Sequence, residues 1–179
     1  MEHGKPEHIF ASPFWHIRDD MPQGALKWAL NYKKTHPMAQ RRSNRGGYQS
    51  MPTHNFDEFE YKSYIIAVLR FLPKFTLQNW WVNVNGKGDF NMAHTHSGSD
   101  LSLVWYLTDN NNSLTIHNPM SYSRSNLNIA LPDINPDNIS ISAKAGDFLV
   151  FPGDVIHSVD QHELDTPRIS LSLNMSFAT

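Results

Sequence analysis

The stretch Arg168-Ile-Ser-Leu-Ser-Leu-Asn-Met-Ser-Phe177 alternates polar and apolar residues without a break. Because neighbouring side chains of a β-strand point to opposite faces, this alternation predicts a strand with one apolar and one polar face. Two arrangements fit the pattern. In an ordinary sandwich the polar face meets water. In the alternative, helices cover the apolar face, and the polar face lines the interior of a roll with Arg168 directed inward.

Two helices are predicted before the main run of strands. Asp20 is a candidate N-cap for a helix that ends before Pro37. Asp57 and Glu60 resemble a capping box for a second helix that ends at Pro73. The apolar residues of this second helix recur at helical spacing: Tyr61, Tyr64, Ile65, Val68, Leu69 and Leu72.

Short strands dominate the rest of the chain. They are expected at residues 75–85, 87–96, 101–108, 113–117, 138–143, 147–151, 155–160 and 167–177, with an outer strand at 8–17. Helices followed by many short strands favour a mostly β, α+β protein. We therefore expect an antiparallel jelly roll, cupin-like in architecture, with two N-terminal helices packed on one sheet.

Composition restricts the possible functions. The 179 residues suit one domain, residues 1–179, with a strand and helices in 1–74 and the β core in 75–179. A net charge of -2 gives no general attraction for nucleic acid or anionic membranes. Without cysteine, histidine and carboxylates remain as metal ligands. No long apolar run or signal-peptide layout is present, so we expect a soluble, cytoplasmic protein.

Three histidines form a candidate metal site. His94 and His96 are two residues apart on a predicted strand, so both rings can face one ion. Asn85-Gly86, a favoured hairpin turn, places this pair at the end of the strand. His157 is predicted on a later strand and can complete the site. A chance pair is unsurprising among ten histidines, but three protein ligands with open positions are typical of non-haem Fe(II) oxygenases.

Two further segments each allow two interpretations. The basic cluster from Gln40 to Gly47 either grips a phosphate or acidic substrate or forms a solvated loop. Residues 118–136, rich in Asn, Ser and Pro, are either a lid over the open end of the roll or an inert surface loop.

Several motifs together resemble the Fe(II)/2-oxoglutarate-dependent oxygenases, in particular a small branch found in bacteria and their viruses. The motifs are Ser43-Asn-Arg-Gly-Gly-Tyr-Gln-Ser50, Trp81-Val-Asn-Val-Asn-Gly-Lys-Gly-Asp89 leading to His94-Thr-His96, Leu101-Ser-Leu-Val-Trp-Tyr-Leu107, and the C-terminal His157 with Arg168-Ile-Ser170. The resemblance implies a double-stranded β-helix and leaves a phage-encoded origin open.

The resemblance also implies roles for individual residues. His94, His96 and His157 would hold Fe(II), and Arg168 would pair with the distal carboxylate of 2-oxoglutarate, since a guanidinium fork matches a carboxylate. Ser170 could add a hydroxyl to this contact. The remaining expected co-substrate contacts are Tyr106, for which a core aromatic is the alternative, and Asn83.

His96 departs from the family pattern because it stands where most members have a carboxylate. Asp100 could supply the missing carboxylate, as an acidic residue does in the cupin motif that Gly88 to Asp100 resembles. Strand parity favours His96 as the third ligand, because it places His96 beside His94.

The implied activity is that of a dioxygenase that uses 2-oxoglutarate and dioxygen to hydroxylate a peptide residue or a small metabolite. Two alternatives stay open: a cupin-type metalloenzyme that does not use 2-oxoglutarate, and a non-enzymatic jelly-roll binding module with a structural metal. A homodimer is one assembly that the sequence leaves open.

Overall fold

The computed structural model describes residues 11–121, 123, 129, 133 and 136–178. Its helices are α1 (Ala25–Thr35) and α2 (Lys62–Val68). Its strands are β1 (Trp15–Ile17), β2 (Asn44–Arg45), β3 (Tyr48–Gln49), β4 (Phe75–Asn85), β5 (Phe90–His94), β6 (Leu101–Tyr106), β7 (Asn110–His117), β8 (Asn138–Ala143), β9 (Phe148–Pro152), β10 (His157–Val159) and β11 (Arg168–Phe177).

The strands form two antiparallel sheets. Within the described ranges, the larger sheet has the strand order β1-β9-β6-β11-β4-β3, and the smaller has the order β2-β5-β10-β7-β8. Residues of both sheets meet in an interior apolar cluster that includes Tyr106, Leu114, Leu149 and Phe151. This arrangement confirms the expected mostly β roll, and it places β11 between β4 and β6 in the middle of the larger sheet.

The two faces of β11 have different surroundings. Its apolar residues Ile169, Leu171 and Leu173 are buried in the main core together with Ala29 of α1 and Ile65 of α2. Its polar residues, including Arg168, Ser170 and Ser172, are buried on the opposite face. The second of the two arrangements is therefore the one observed: helices cover the apolar face, and the polar face lines the roll.

Both helices begin later than the sequence predicts. The N-cap of α1 is Gly24 with φ 91°, and not Asp20; the chain turns first, and the Gly24 carbonyl accepts the N–H of Trp28. The expected capping box at Asp57 and Glu60 is also wrong. The Asp57 N–H donates to the side chain of Asn55, and α2 starts only at Lys62.

The predicted hairpin at Asn85-Gly86 is wrong as well. β4 belongs to the larger sheet and β5 to the smaller, so the chain crosses between sheets at this point. The Asp89 carboxylate stabilises the crossing because it accepts the N–H of Gly86 at 2.6 Å. β5 is shorter than expected and ends at His94, so His96 lies just beyond the strand.

Three other expectations can be compared with the structure. Of the outer strand expected at residues 8–17, residues 15–17 form a strand at the edge of the larger sheet, residues 11–14 do not, and residues 8–10 lie outside the described residues. The basic cluster contains the short strand β2, which the sequence did not indicate. Most of the candidate lid, residues 118–136, lies outside the described residues.

In the described part of the chain, neither helix is long and apolar enough to cross a membrane.

Candidate active site

Three histidine side chains converge inside the roll. One ligand nitrogen from each of His94, His96 and His157 lies within 4.8 Å of the other two. His94 and His157 are directly opposite each other in the register of β5 and β10. His96 reaches the same point from the loop after β5, where its N–H donates to the Gly153 carbonyl at 2.7 Å. Two strands and one anchored loop thus bring the rings together.

Hydrogen bonds orient all three rings in the same way. The Nδ1 of His94 lies 2.7 Å from the Met92 carbonyl, and that of His157 lies 2.9 Å from the Val155 carbonyl. The Nδ1 of His96 lies 2.8 Å from Asn174 Oδ1. Because these oxygens only accept, each Nδ1 carries the proton and each Nε2 keeps its lone pair. The rings are therefore arranged as neutral metal ligands.

Burial keeps these histidines neutral. Desolvation lowers the pKa of His94, and it lowers the pKa of His96 to about 4, with repulsion from His94 as the second cause. The pKa of His157 falls to about 3, again first through desolvation and then through repulsion from His94. Metal ions bind the neutral form of histidine, so the cluster is ready to bind a cation at neutral pH.

Gly153 allows the loop that carries His96 to lie close to β9. A Cβ atom at position 153 would clash with the carbonyl oxygens of Ser99 and His96. The neighbouring Asp100 carboxylate is occupied elsewhere, since its Oδ2 accepts the N–H of Phe177 at 2.8 Å. The structure thus brings His96, and not Asp100, to the other two histidines.

Arg168 is buried on the interior face with an unused donor. Its side chain is 3 % exposed, and Nη1 donates to the Asp160 carbonyl at 3.0 Å. Nη2 is buried and has no hydrogen-bond partner among the described residues. Desolvation lowers the pKa of Arg168, but a guanidinium keeps its proton in proteins. A buried charge with an unpaired N–H is costly, and an anion such as a carboxylate would remove that cost.

The other predicted co-substrate residues share this face. Ser170 lies opposite Asn83 on β4 and opposite Tyr106 on β6. The Asn83 amide donates to Ser172 Oγ at 3.1 Å and to Ser170 Oγ at 3.4 Å. Tyr106 is part of the interior apolar cluster and is also near enough to Arg168 to affect its pKa. The structure thus places all three in one row across the larger sheet.

A cavity of about 870 Å³ adjoins the histidines. Its walls include His94 and His96, the neighbouring Trp81, and residues from the segment 40–54. The Trp81 ring stacks on the His96 ring with 5.5 Å between centroids. A small molecule in this cavity would therefore lie directly beside the candidate metal ligands.

Sequence reasoning assigned no role to Asn174 or Trp81. The alternation of β11 places Asn174 on the inward polar face, but nothing in the sequence shows that it meets His96, 78 positions away. Asn174 Oδ1 also accepts from Ser102 Oγ at 3.0 Å, and its Nδ2 donates to Asn79 Oδ1 at 3.1 Å. Ser102 and Asn79 thus hold the Asn174 amide in the orientation that places its oxygen on the His96 ring.

Asn174→Ala is expected to lower the affinity for a divalent metal about 10–100-fold, because the His96 ring loses the acceptor that fixes its tautomer. An anaerobic titration with Fe(II), repeated with Ni(II), measures the change. Asn174→Asp keeps an acceptor and should retain most of the affinity, and Ser102→Ala removes only the outer contact. Wild-type affinity in a folded Asn174→Ala variant would contradict this role.

Three neutral imidazoles and an inward guanidinium, inside an antiparallel roll, define the class of mononuclear non-haem metal centres with open coordination positions. Comparison with known families agrees. The sequence profile of the 2OG-Fe(II) oxygenase family matches residues 79–174. The chain belongs to this family, and its cofactors are Fe(II) and 2-oxoglutarate.

Solved structures share the fold across nearly the whole chain. The non-haem alpha-ketoglutarate-dependent epimerase SnoN from nogalamycin biosynthesis aligns with a TM-score of 0.69 and 16 % identity, covering 94 % of this chain and 79 % of its own. A Pseudomonas putida prolyl-4-hydroxylase aligns with a TM-score of 0.65 and 13 % identity, covering 94 % of both chains. HygX from Streptomyces hygroscopicus, solved with nickel, 2-oxoglutarate and hygromycin B, aligns with a TM-score of 0.61 and 10 % identity, covering 93 % of this chain and 84 % of its own.

At these identities the likeness shows a shared fold. A comparison of the sequence with curated proteins found no match. Family membership confirms the expected enzyme class, an Fe(II)- and 2-oxoglutarate-dependent oxygenase with dioxygen as a further co-substrate.

Proposed function

We propose that His94, His96 and His157 hold Fe(II) through their Nε2 atoms, and that Arg168 holds the distal carboxylate of 2-oxoglutarate. The proposed reaction is hydroxylation of a C–H bond in a peptide residue or a small metabolite. The observation that carries this proposal is the coincidence of three oriented imidazoles with a buried guanidinium that has an unused N–H. Both groups lie inside the same roll, one as a cation site and one as an anion site.

A hydrogen-bond acceptor orients each histidine ring for metal binding. The carbonyl groups of Met92 and Val155 hold His94 and His157, and Asn174 holds His96. Three protein ligands would leave room at the metal for 2-oxoglutarate. With His96 in place of a carboxylate, the protein would contribute no negative charge from the ligand set, and a bound iron would be less electron-rich than one with a carboxylate ligand.

Arg168 orients the co-substrate. Its Nη1 is fixed by the Asp160 carbonyl, so Nη2 is presented in one direction for a carboxylate oxygen. Ser170 and Tyr106 lie in the same row and supply hydroxyl groups for the same carboxylate, while Asn83 positions Ser170. Such charge-assisted hydrogen bonds give both affinity and geometric selectivity.

Bound Fe(II) and 2-oxoglutarate supply the oxidising chemistry: one oxygen atom of O₂ enters the substrate as a hydroxyl, the other enters succinate, and carbon dioxide leaves. The protein shields this chemistry. Phe151 contacts His157 edge-on, at 4.7 Å between ring centroids, and His157 is buried. The far side of the site is thus closed by the interior apolar cluster, and the cavity beside His94 and His96 is the side that receives substrate.

The proposal extends to organisation and location. We propose that the chain acts as one domain in the cytoplasm, with a catalytic roll formed mainly by the strands from β4 onward, edge strands added by β1, β2 and β3, and α1 and α2 covering the larger sheet.

Formation of succinate from 2-oxoglutarate tests the proposal. The iron-loaded protein should form succinate with Fe(II) and oxygen, and the rate should rise when candidate peptides or metabolites include the true substrate. The signal should vanish in His157→Ala. Succinate formation that persists in that variant would point to free iron and would contradict catalysis at this site.

A further inference from the structure

The cavity beside the histidines has the size and position of a substrate site. Its volume of about 870 Å³ falls within the range typical of small-molecule sites. Its lining includes residues of the segment 40–54 and of the loop 95–99, together with His94 and His96. The nature of the ligand that this cavity binds depends on the proposed function, because that ligand would be the substrate of the same metal site.

The charge of the walls is one-sided. Arg42 lines the cavity, and no aspartate or glutamate is among the described residues that line it. Within the described ranges Arg42 makes no ion pair. Its Nε donates to Gln40 Oε1 at 3.1 Å, and the residue as a whole is exposed. The cavity therefore favours an anionic group near Arg42.

Two amide atoms of the wall are buried and unused. Gln49 is 6 % exposed, and its Oε1 has no hydrogen-bond partner in the described part of the chain. Gln40 Nε2 is likewise buried and has no partner among the described residues. Other amides of the wall are paired: Gln78 bonds Ser99 and Gly98, and Asn174 bonds His96. A buried acceptor without a donor destabilises the protein, and a bound hydroxyl or N–H would remove that cost.

Gln49 lies between the co-substrate residues and the cavity. It faces Asn83 in the register of β3 and β4, and Asn83 in turn bonds Ser170. The edge of β3 is already occupied, because the Gln49 carbonyl accepts the N–H of Gln40 and Ala39 bridges to Ser50. A peptide cannot add there as a further strand, which favours a compact ligand over an extended peptide.

We propose that this cavity binds a small anionic metabolite, with Arg42 pairing with its carboxylate or phosphate group and Gln49 Oε1 accepting a hydrogen bond from its hydroxyl or amide N–H. The remaining carbon skeleton then lies beside His94 and His96, where the oxidised C–H bond must be. Arg42 and Gln49 determine substrate choice in this arrangement, and Arg168 stays reserved for 2-oxoglutarate.

Matched probes test this assignment on the protein loaded anaerobically with Fe(II) and saturated with 2-oxoglutarate. The probes are N-acetyl amino acids with their amides, and sugar phosphates with the parent sugars, titrated by calorimetry. Comparison of the N-acetyl amino acids with the sugar phosphates shows whether the anionic group of the ligand is a carboxylate or a phosphate. At least one anionic probe should bind ten times more tightly than its neutral partner. Arg42→Gln should abolish this preference, whereas Arg41→Gln, a neighbouring arginine outside the cavity wall, should preserve it.

Gln49→Met provides a second, independent test, since it keeps the size of the side chain and removes the acceptor. It should weaken the preferred probe severalfold and leave the anion preference intact. Equal binding of charged and neutral partners by the wild-type protein, or a preference that survives Arg42→Gln, would overturn the inference. Wild-type protein that fails to bind Fe(II) or 2-oxoglutarate would instead overturn the proposed function.

Discussion

The His157→Ala variant is expected to lose stoichiometric Fe(II) and all 2-oxoglutarate turnover. His157 is buried at 3 % exposure, and one of its ring nitrogens lies within 4.8 Å of a ring nitrogen of His94 and of His96. Removal of a direct ligand should cost more than the ~10–100-fold that loss of an outer hydrogen-bond partner costs. Metal analysis after anaerobic reconstitution and gel filtration measures the bound iron per chain.

Asp100→Ala is the matched control for this experiment. Its carboxylate bonds the N–H of Phe177 and lies outside the histidine cluster, so iron uptake should stay close to wild type. A loss as large as that of His157→Ala would move the third-ligand role from His96 to Asp100. Full iron uptake by a folded His94→Ala, His157→Ala double variant would contradict the metal site altogether.

Arg168→Lys is expected to weaken 2-oxoglutarate binding by ~1.5–3 kcal/mol, roughly 10–150-fold, while iron binding persists. Lysine keeps the positive charge but lacks the planar fork, and the Asp160 carbonyl competes for its ammonium group. Calorimetry with the iron-loaded protein under anaerobic conditions measures the affinity directly.

Arg45→Lys serves as the control, because the Arg45 guanidinium donates to the carbonyls of Arg42 and Asn44 outside the interior row. Its 2-oxoglutarate affinity should match that of the wild type. If Arg168→Lys also binds 2-oxoglutarate like the wild type, Arg168 is a structural residue and another group must hold the co-substrate.

The sequence predicted those features that depend on local periodicity. The alternation of β11 separated its apolar from its polar residues correctly but left open whether the polar face meets water or lines the roll, and the bounds of β4 agree with those of the predicted strand 75–85. Both features are readable because a strand repeats every two residues, whatever the rest of the chain does. The spacing of the histidines, together with the family motifs, predicted the three histidines and Arg168 as site residues.

Features that depend on tertiary contacts could not be predicted from the sequence. Asn85-Gly86 has the composition of a hairpin turn, yet it connects strands of different sheets, because β4 pairs with β11 and β5 pairs with β10. His96 reaches the cluster from a loop and not by strand parity. Its position depends on Gly153 and Asn174, which are far away in sequence.

The most direct test of the metal and co-substrate sites is a crystal structure grown anaerobically with Fe(II) and 2-oxoglutarate, with anomalous data collected at the iron edge. The expected result is one iron peak within direct coordination distance of the Nε2 atoms of His94, His96 and His157, with the distal carboxylate of 2-oxoglutarate on Arg168 Nη2. An iron peak away from the three histidines, or 2-oxoglutarate bound without contact to Arg168, would contradict the proposed site.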